Sequence, residues 1–419
     1  MPIDALLLTV LVGTYLGMRS IIPLPQVVPG HFGLSGLAVL AAGLYWLVSL
    51  LPMPPRQANR AKWMLAAVVI GLIPVASTLA AVAWRLENAQ HEFVHDGLIQ
   101  SEAAVDLVAA GLNPYGADYR HTAMADWPYR VGSQTLNPAL FHYPYLPATF
   151  LIPLPFQLGL QDAWGWFDQR LVYLIAFLGL LLSAGRLTAD PLRRMSLVIF
   201  LGLSPTFVPY LIEGRNEVLV LFWITLAAAM LRSGHRTAAA VTFGLACATK
   251  QTAWFLIPFF FLYLAGDGSW KERWGRVRKP AVGFLIAFGA LIFPWLISDP
   301  VAFFEDIFLF QSGLLPEGYP INGFGFSAIL LSFGLLDAPQ ASFPFWIFSA
   351  GIGLMTAALL LRWQIRRNRL DVALLAGGLL SWVMLFFGRA FNDNYLGFIS
   401  GILAIGVTLA FRREFEKAG

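Results

Sequence analysis

The chain has 419 residues, of which 58% are hydrophobic and only 12% charged, with a mean hydropathy of +0.67. A soluble domain of this size carries roughly twice that charge, so the composition excludes a water-soluble globular enzyme and predicts an all-α, polytopic integral membrane protein. The net charge of +4 says less than where the charges fall, and the single cysteine, Cys247, leaves neither a disulfide framework nor a cysteine-based metal site.

The chain opens Met1-Pro2-Ile3-Asp4 with no basic n-region, and its apolar run continues to Ile22. That run is too long for a signal peptide, so the first segment is expected to stay. Further apolar runs predict spans at 33–52, 63–84, 171–187, 195–212, 217–232, 281–298, 344–361, 371–388 and 394–411, with a hairpin within 237–266 turning near Lys250. Six short connections hold Arg56, Arg60, Lys62; Arg186, Arg193, Arg194; Arg232, Arg236; Lys271, Arg273, Arg276, Arg278, Lys279; Arg362, Arg366, Arg367, Arg369; and Arg412, Arg413, Lys417. The positive-inside rule places all six, and both termini, on the cytoplasmic side of the plasma (inner) membrane. Arg19, Arg85, Arg120, Arg130, Arg170, Arg215, Lys250 and Arg389 then fall mostly at or near the other face. The pieces 146–160 and 323–336 break the parity of crossings and, at about 15 residues, suit re-entrant or interfacial segments.

The one long polar stretch, within an extracytoplasmic loop at 85–145, contains His91-Glu92-Phe93-Val94-His95-Asp96 and then a helix over Gly97–Ala110, with Gly111 beyond its end and Pro114 to stop it. Leu98, Val105, Ala109 and Leu112 form an apolar stripe, as on a helix lying along a membrane surface. Asp96 reads both as a helix N-cap and as a general base at the mouth of a cavity, and the two roles are compatible. Glu102 and Asp106, four residues apart, read as a solvated face more readily than as a catalytic pair. His91 and His95 share that spacing without an evident third metal ligand.

Several polar clusters are predicted on the same side as Asp96: His142-Tyr143-Pro144-Tyr145, Glu213 to Glu217 with Arg215 and Asn216, Lys250-Gln251, Glu305-Asp306, and Arg389 with Asn392-Asp393-Asn394. Snorkelling cations, belt tyrosines and a tight polar turn account for each cluster singly. Their gathering at one apolar-walled face suits a phosphorylated lipid, with cations for the phosphate and a carboxylate to take a proton from an acceptor hydroxyl. No P-loop, no H-E-x-x-H and no Cys/His zinc spacing is present.

The segments HDGLIQSEAAVDLVAAGLNPYG (95–116), FHYPYLPATFLIPLPF (141–156), EGRNEVLVLFW (213–223) and GLACATKQTAWFLIPFF (244–260) resemble the GT-C superfamily of polyprenyl-phosphate-sugar-dependent glycosyltransferases, nearest its bacterial mannosyltransferase-like branch. The resemblance implies a bundle of about 11–14 membrane segments and a large first outer loop with short interfacial helices. It further implies inverting transfer of a sugar from a polyprenyl-phosphate donor to a lipid or glycan acceptor on the extracytoplasmic face, within membrane lipid and with no nucleic-acid partner. By position Asp96 matches the family's first-loop catalytic acid. Lys250, Arg215 and Arg389 are candidates for the phosphate, and His142 and Tyr143 for sugar or acceptor. Glu102, Asn216, Glu217, Gln251, Asn392 and Asp393 complete the candidate substrate site; Asn216-Glu217 stands where many members carry an aspartate. The resemblance fixes no cofactor, and it leaves room for a divalent cation. A transporter or flippase of a lipid-linked or small polar solute is the alternative, since broken helices also mark transport folds.

Overall fold

A computed structural model describes residues 2–18, 31–89, 91–132 and 134–410. Arg19, Arg412, Arg413 and Lys417, the end of the 3–22 span and both chain termini lie outside the described residues. The described chain is helical almost throughout, and its two strands are a parallel pairing of Asn322–Gly323 with Ala390–Phe391.

Among the described residues five helices are long and apolar enough to cross a membrane: Gly33–Leu50, Pro55–Glu87, Trp270–Ser298, Phe345–Arg366 and Asp393–Ala410. Shorter apolar helices occupy Ile3–Gly17, Arg170–Ala184, Gln251–Ala265 and Leu370–Phe386. The protein is therefore a polytopic all-α membrane protein. The structure differs from the predicted spans mainly at their starts. Trp270–Ser298 begins 11 residues before the apolar run, because Ser269 and Glu272 form a reciprocal capping box that starts the helix in the polar, basic segment. Likewise Pro55–Glu87 absorbs Pro74 through a π-helical stretch, Gly71–Val75, where the widened turn tolerates the missing N–H. The predicted span at 195–212 is instead two helices, Pro191–Leu203 and Val208–Glu213, broken at Ser204-Pro205.

The core is a stack in which Arg236–Thr249 packs between Glu217–Arg232 and Trp270–Ser298, while Leu370–Phe386 packs between Phe345–Arg366 and Asp393–Ala410. Small residues permit the close approach: a Cβ on Gly244 would stand 3.0 Å from the Phe284 carbonyl, and one on Gly397 would overlap the Thr206 carbonyl. The hairpin reverses at Lys250, whose extended backbone (φ −157°, ψ 142°) ends the Arg236–Thr249 helix. Its two ends meet, as the Arg236 guanidinium donates to the Leu264 carbonyl. Lys250 thus lies at the opposite end of the bundle from Arg232 and Arg236.

The segment at 146–160 forms two short helices, Ala148–Leu151 and Leu154–Trp164, and 323–336 holds the seven-residue Phe326–Ser332. At 1.5 Å per residue none reaches across about 30 Å of hydrocarbon. The first-loop helix runs Asp96–Ala109, with Gly111 left-handed at φ 75° just beyond it. Within its apolar stripe Leu98 and Val105 are fully buried against the protein, while Ala109 and Leu112 are exposed. Its polar residues have protein partners. Gln100 donates to the Ala139 and His142 carbonyls, Gln157 donates to Asp106 at 2.6 Å, and Glu102 pairs with Arg85 at 2.7 Å.

Candidate active site

At the Lys250 end of the bundle lies a cavity of about 1150 Å³. One wall comes from the first loop, with His95, Asp96, Tyr129, Arg130, Asn137 and Tyr145; another from Arg215, Lys250 and Gln251; a third from Tyr319, Arg389, Asn392 and Asp393. An apolar flank of Trp254, Phe255, Phe308, Phe324, Phe345 and Trp346 continues the same space. Phe324 and Trp346 are largely exposed, at 68% and 61%. The cavity is therefore polar at one part and reaches exposed apolar side chains at another.

Asp96 is the first residue of its helix, and the N-cap is His95, whose Nδ1 lies 3.0 Å from both the Gly97 nitrogen and Asp96 Oδ1. The carboxylate sits at the positive end of the helix dipole. Its Oδ1 accepts from the Gly97 N–H at 2.7 Å and lies 3.0 Å from His95 Nδ1; its Oδ2 accepts from Asn137 Nδ2 at 2.8 Å. Desolvation pushes the carboxyl up, but His95, Asn137 and the Gly97 N–H outweigh it and bring it down to about 2. Gly97 is needed here because a Cβ at that position would run into the Tyr145 hydroxyl.

The three cations expected at a phosphate differ sharply. Lys250 is 8% exposed, donates to Asn216 Oδ1 at 2.9 Å and to Glu217, and sits under the Tyr145 and Tyr395 rings at 5.8 and 5.3 Å. Arg215 pairs with Glu213 at 3.0 Å and Asp393 at 3.3 Å and lies over the Tyr210 ring. Arg389 is 5% exposed and, among the described residues, donates to the backbone carbonyls of Tyr319, Ala341 and Pro339. Among the described residues no carboxylate pairs with it, and burial pushes its guanidinium down from its ordinary value.

Of the sequence candidates, Asp96, Arg215, Lys250, Gln251, Arg389, Asn392 and Asp393 line the cavity. Asn216 and Glu217 stand behind Lys250 as its partners. The others point elsewhere. His142 bonds Asp306 at 2.7 Å, and Asp306 also accepts from the Gly116 N–H at 2.9 Å, tying the first loop to the 305–312 segment. Tyr143 is fully buried, bonded to Thr149 at 2.8 Å and Ser101 at 3.2 Å. Glu102 belongs to a buried ion cluster in which Arg85 also meets Asp168 at 2.9 Å and Arg170 holds Asp168 at 2.7 Å. Tyr129, Arg130 and Asn137 were not foreseen as site residues. Each comes from irregular loop, where no periodicity marks the inward side. Among the described residues no cluster of three or more His, Cys, Asp or Glu is arranged to hold a metal ion.

A family model for glycosyltransferase family 87 matches residues 141–387, more than half of the chain. The chain belongs to glycosyltransferase family 87. It is accordingly a membrane glycosyltransferase, acting on a donor and an acceptor. The region matched holds Arg215, Lys250, Gln251 and the apolar flank from Trp254 to Trp346, while Asp96 lies before it and Arg389, Asn392 and Asp393 after it. No curated protein matches this family-87 chain.

Proposed function

We propose that this glycosyltransferase takes its sugar from a polyprenyl-phosphate donor and passes it, with inversion, to a lipid or glycan acceptor at the extracytoplasmic face of the cytoplasmic membrane. The observation that carries the reading is Arg389: a buried cation on the cavity wall with no carboxylate paired to it among the described residues, next to an apolar flank that ends at the exposed Phe324 and Trp346. A buried charge is costly without a counter-charge. A phosphate on an isoprenoid tail supplies that counter-charge and fills the flank.

In the step itself the acceptor hydroxyl oxygen attacks the anomeric carbon from the face opposite the phosphate. As the new C–O bond forms, the bond to the phosphate oxygen breaks and its electron pair leaves with the phosphate, whose growing charge Arg389 stabilises. The hydroxyl proton passes to Asp96. Lys250 and Arg215 are already neutralised by Glu217, Glu213 and Asp393, so they orient the wall around the sugar rather than supply net charge. Tyr129, Tyr145, Tyr319 and Tyr395 offer ring faces and hydroxyls to the sugar.

The test is purified protein with farnesyl- and longer polyprenyl-phosphate hexoses and pentoses, following release of the polyprenyl phosphate. Asp96→Asn is expected to lower kcat by about 10²–10⁴-fold. Release undiminished by that substitution would remove Asp96 as the base, and solute flux in proteoliposomes without any turnover would turn the donor reading toward transport.

A further inference from the structure

We propose that Asn137 is the positioning residue for Asp96, leaving one lone pair of Oδ2 as the site that takes the acceptor proton. This rests on the reading of Asp96 as the base. A carboxylate has about four acceptor positions. On Asp96 the Oδ1 side is filled by the Gly97 N–H and faces His95, and Asn137 Nδ2 takes one position on Oδ2. The second position on Oδ2 has no partner among the described residues, and Asp96 lines the cavity.

Asn137 does not choose this contact by chance of rotamer. Its Oδ1 accepts from the Ala139 N–H at 3.0 Å, so the other end of the amide, Nδ2, is obliged to face Asp96. The residue precedes Pro138, which favours the extended backbone it adopts (φ −69°, ψ 118°) at the start of the short 3₁₀ turn Pro138–Leu140. That turn is fastened to the Asp96 helix itself, because Gln100 Nε2 donates to the Ala139 carbonyl at 2.6 Å and the His142 carbonyl at 2.8 Å. Gln100 is 1% exposed and Asn137 4%. One turn of helix after the base, Gln100 thus pins the loop that brings Asn137 back onto the base. The loop's other end is held by Trp127 Nε1 donating to the Val94 carbonyl at 2.9 Å.

A residue that only completes the fold and one that aims the carboxylate separate in two readouts. Asn137→Ala is expected to lower kcat by about 10–100-fold with the donor KM within about threefold. It is also expected to move the acid limb of the kcat profile upward by about half to one pH unit, since the carboxyl loses a donor. Asn137→Asp places a second carboxylate against Asp96; it is expected to be slow at pH 8 and to recover in part toward pH 5, where a proton shared by the pair restores the donor. Independently of turnover, carbodiimide labelling of Asp96, read by peptide mass spectrometry across pH, is expected to shift upward in Asn137→Ala. An unmoved labelling curve, or wild-type kcat in Asn137→Ala beside an inactive Asp96→Asn, would overturn the role of Asn137 alone. Full activity in Asp96→Asn would instead sink the base assignment beneath it.

Discussion

Asp96 and Arg389 are opposite cases of a charge on a cavity wall. Against desolvation, which pushes it up, the carboxyl of Asp96 is brought down to about 2 from an ordinary 3.8 by His95, then Asn137 and the Gly97 N–H. A lowered folded-state value means that the ionised form stabilises the fold above about pH 4 and that this contribution, about 2 kcal/mol, is lost as pH falls toward 2. Thermal unfolding of detergent-solubilised protein is therefore expected to show wild type more stable than Asp96→Asn at pH 6, with the gap closing between pH 4 and pH 2. A gap that persists at pH 2 would assign the difference to something other than the charge. Asp96 could be picked out in the sequence because it begins a helix in a long polar loop, and short-range pattern carries that much. Asn137, 41 residues away along irregular chain, carried no such mark. Nor could sequence separate Arg389 from Lys250, since Glu217 reaches Lys250 from 33 positions earlier, a contact that exists only once the helices pack.

At the level of elements, the first-loop helix is fixed to the bundle by charge as well as by apolar contact. Arg85, Glu102, Asp168 and Arg170 form a buried cluster joining Ala76–Glu87, Asp96–Ala109 and Arg170–Ala184, and Arg170 also donates to the Phe93 and Ile212 carbonyls at 2.7 and 3.2 Å. Removing one partner strands a buried charge, which costs about 3–5 kcal/mol. Glu102→Ala is expected to lower the unfolding midpoint and to take activity with it, whereas Arg85→Met with Glu102→Leu recovers most of the stability because Asp168 keeps Arg170. If the double variant is no better than the single, the cluster is not a balanced unit. From sequence Glu102 looked like an exposed helix face, as the i, i+4 spacing with Asp106 suggests. What changed its meaning is that the Glu102 carboxylate meets Arg85 and the Gln169 N–H rather than water. Span positions were legible because hydrophobic length is a local property. Helix starts at Pro55 and Trp270 were not, because a proline at the first turn of one and a capping box on the other start each helix before its apolar run.

For the molecule as a whole, the cavity collects its polar groups at one end of the bundle and Arg232, Arg236 and Arg276 gather at the other, with Arg276 donating to the Ala265 carbonyl at 2.7 Å. We expect that first end to face outward. In a Cys247→Ser background, Arg130→Cys should react with a membrane-impermeant maleimide in intact cells, and Trp270→Cys only after permeabilisation. The reverse pattern would turn the protein over and move the reaction to the cytoplasmic face. Both positions are exposed, so labelling reports side rather than burial.

The Trp270–Ser298 helix gives that orientation a vertical scale. Its 29 residues measure about 43 Å, against about 30 Å of hydrocarbon. The surplus is close to the length of its first nine residues, which carry Lys271, Arg273, Arg276 and Arg278 and the stacked, exposed pair Trp270 and Trp274. Indole rings settle at the headgroup level, so this end acts as a float line. Just past the far end, Asp299 caps the helix that leads into Asp306 and the latch to His142. Setting the draught at one leaflet therefore sets the height of the cavity at the other, and a bilayer thinner or thicker by a few ångströms would lift or sink Arg389 relative to the plane in which lipid phosphates lie.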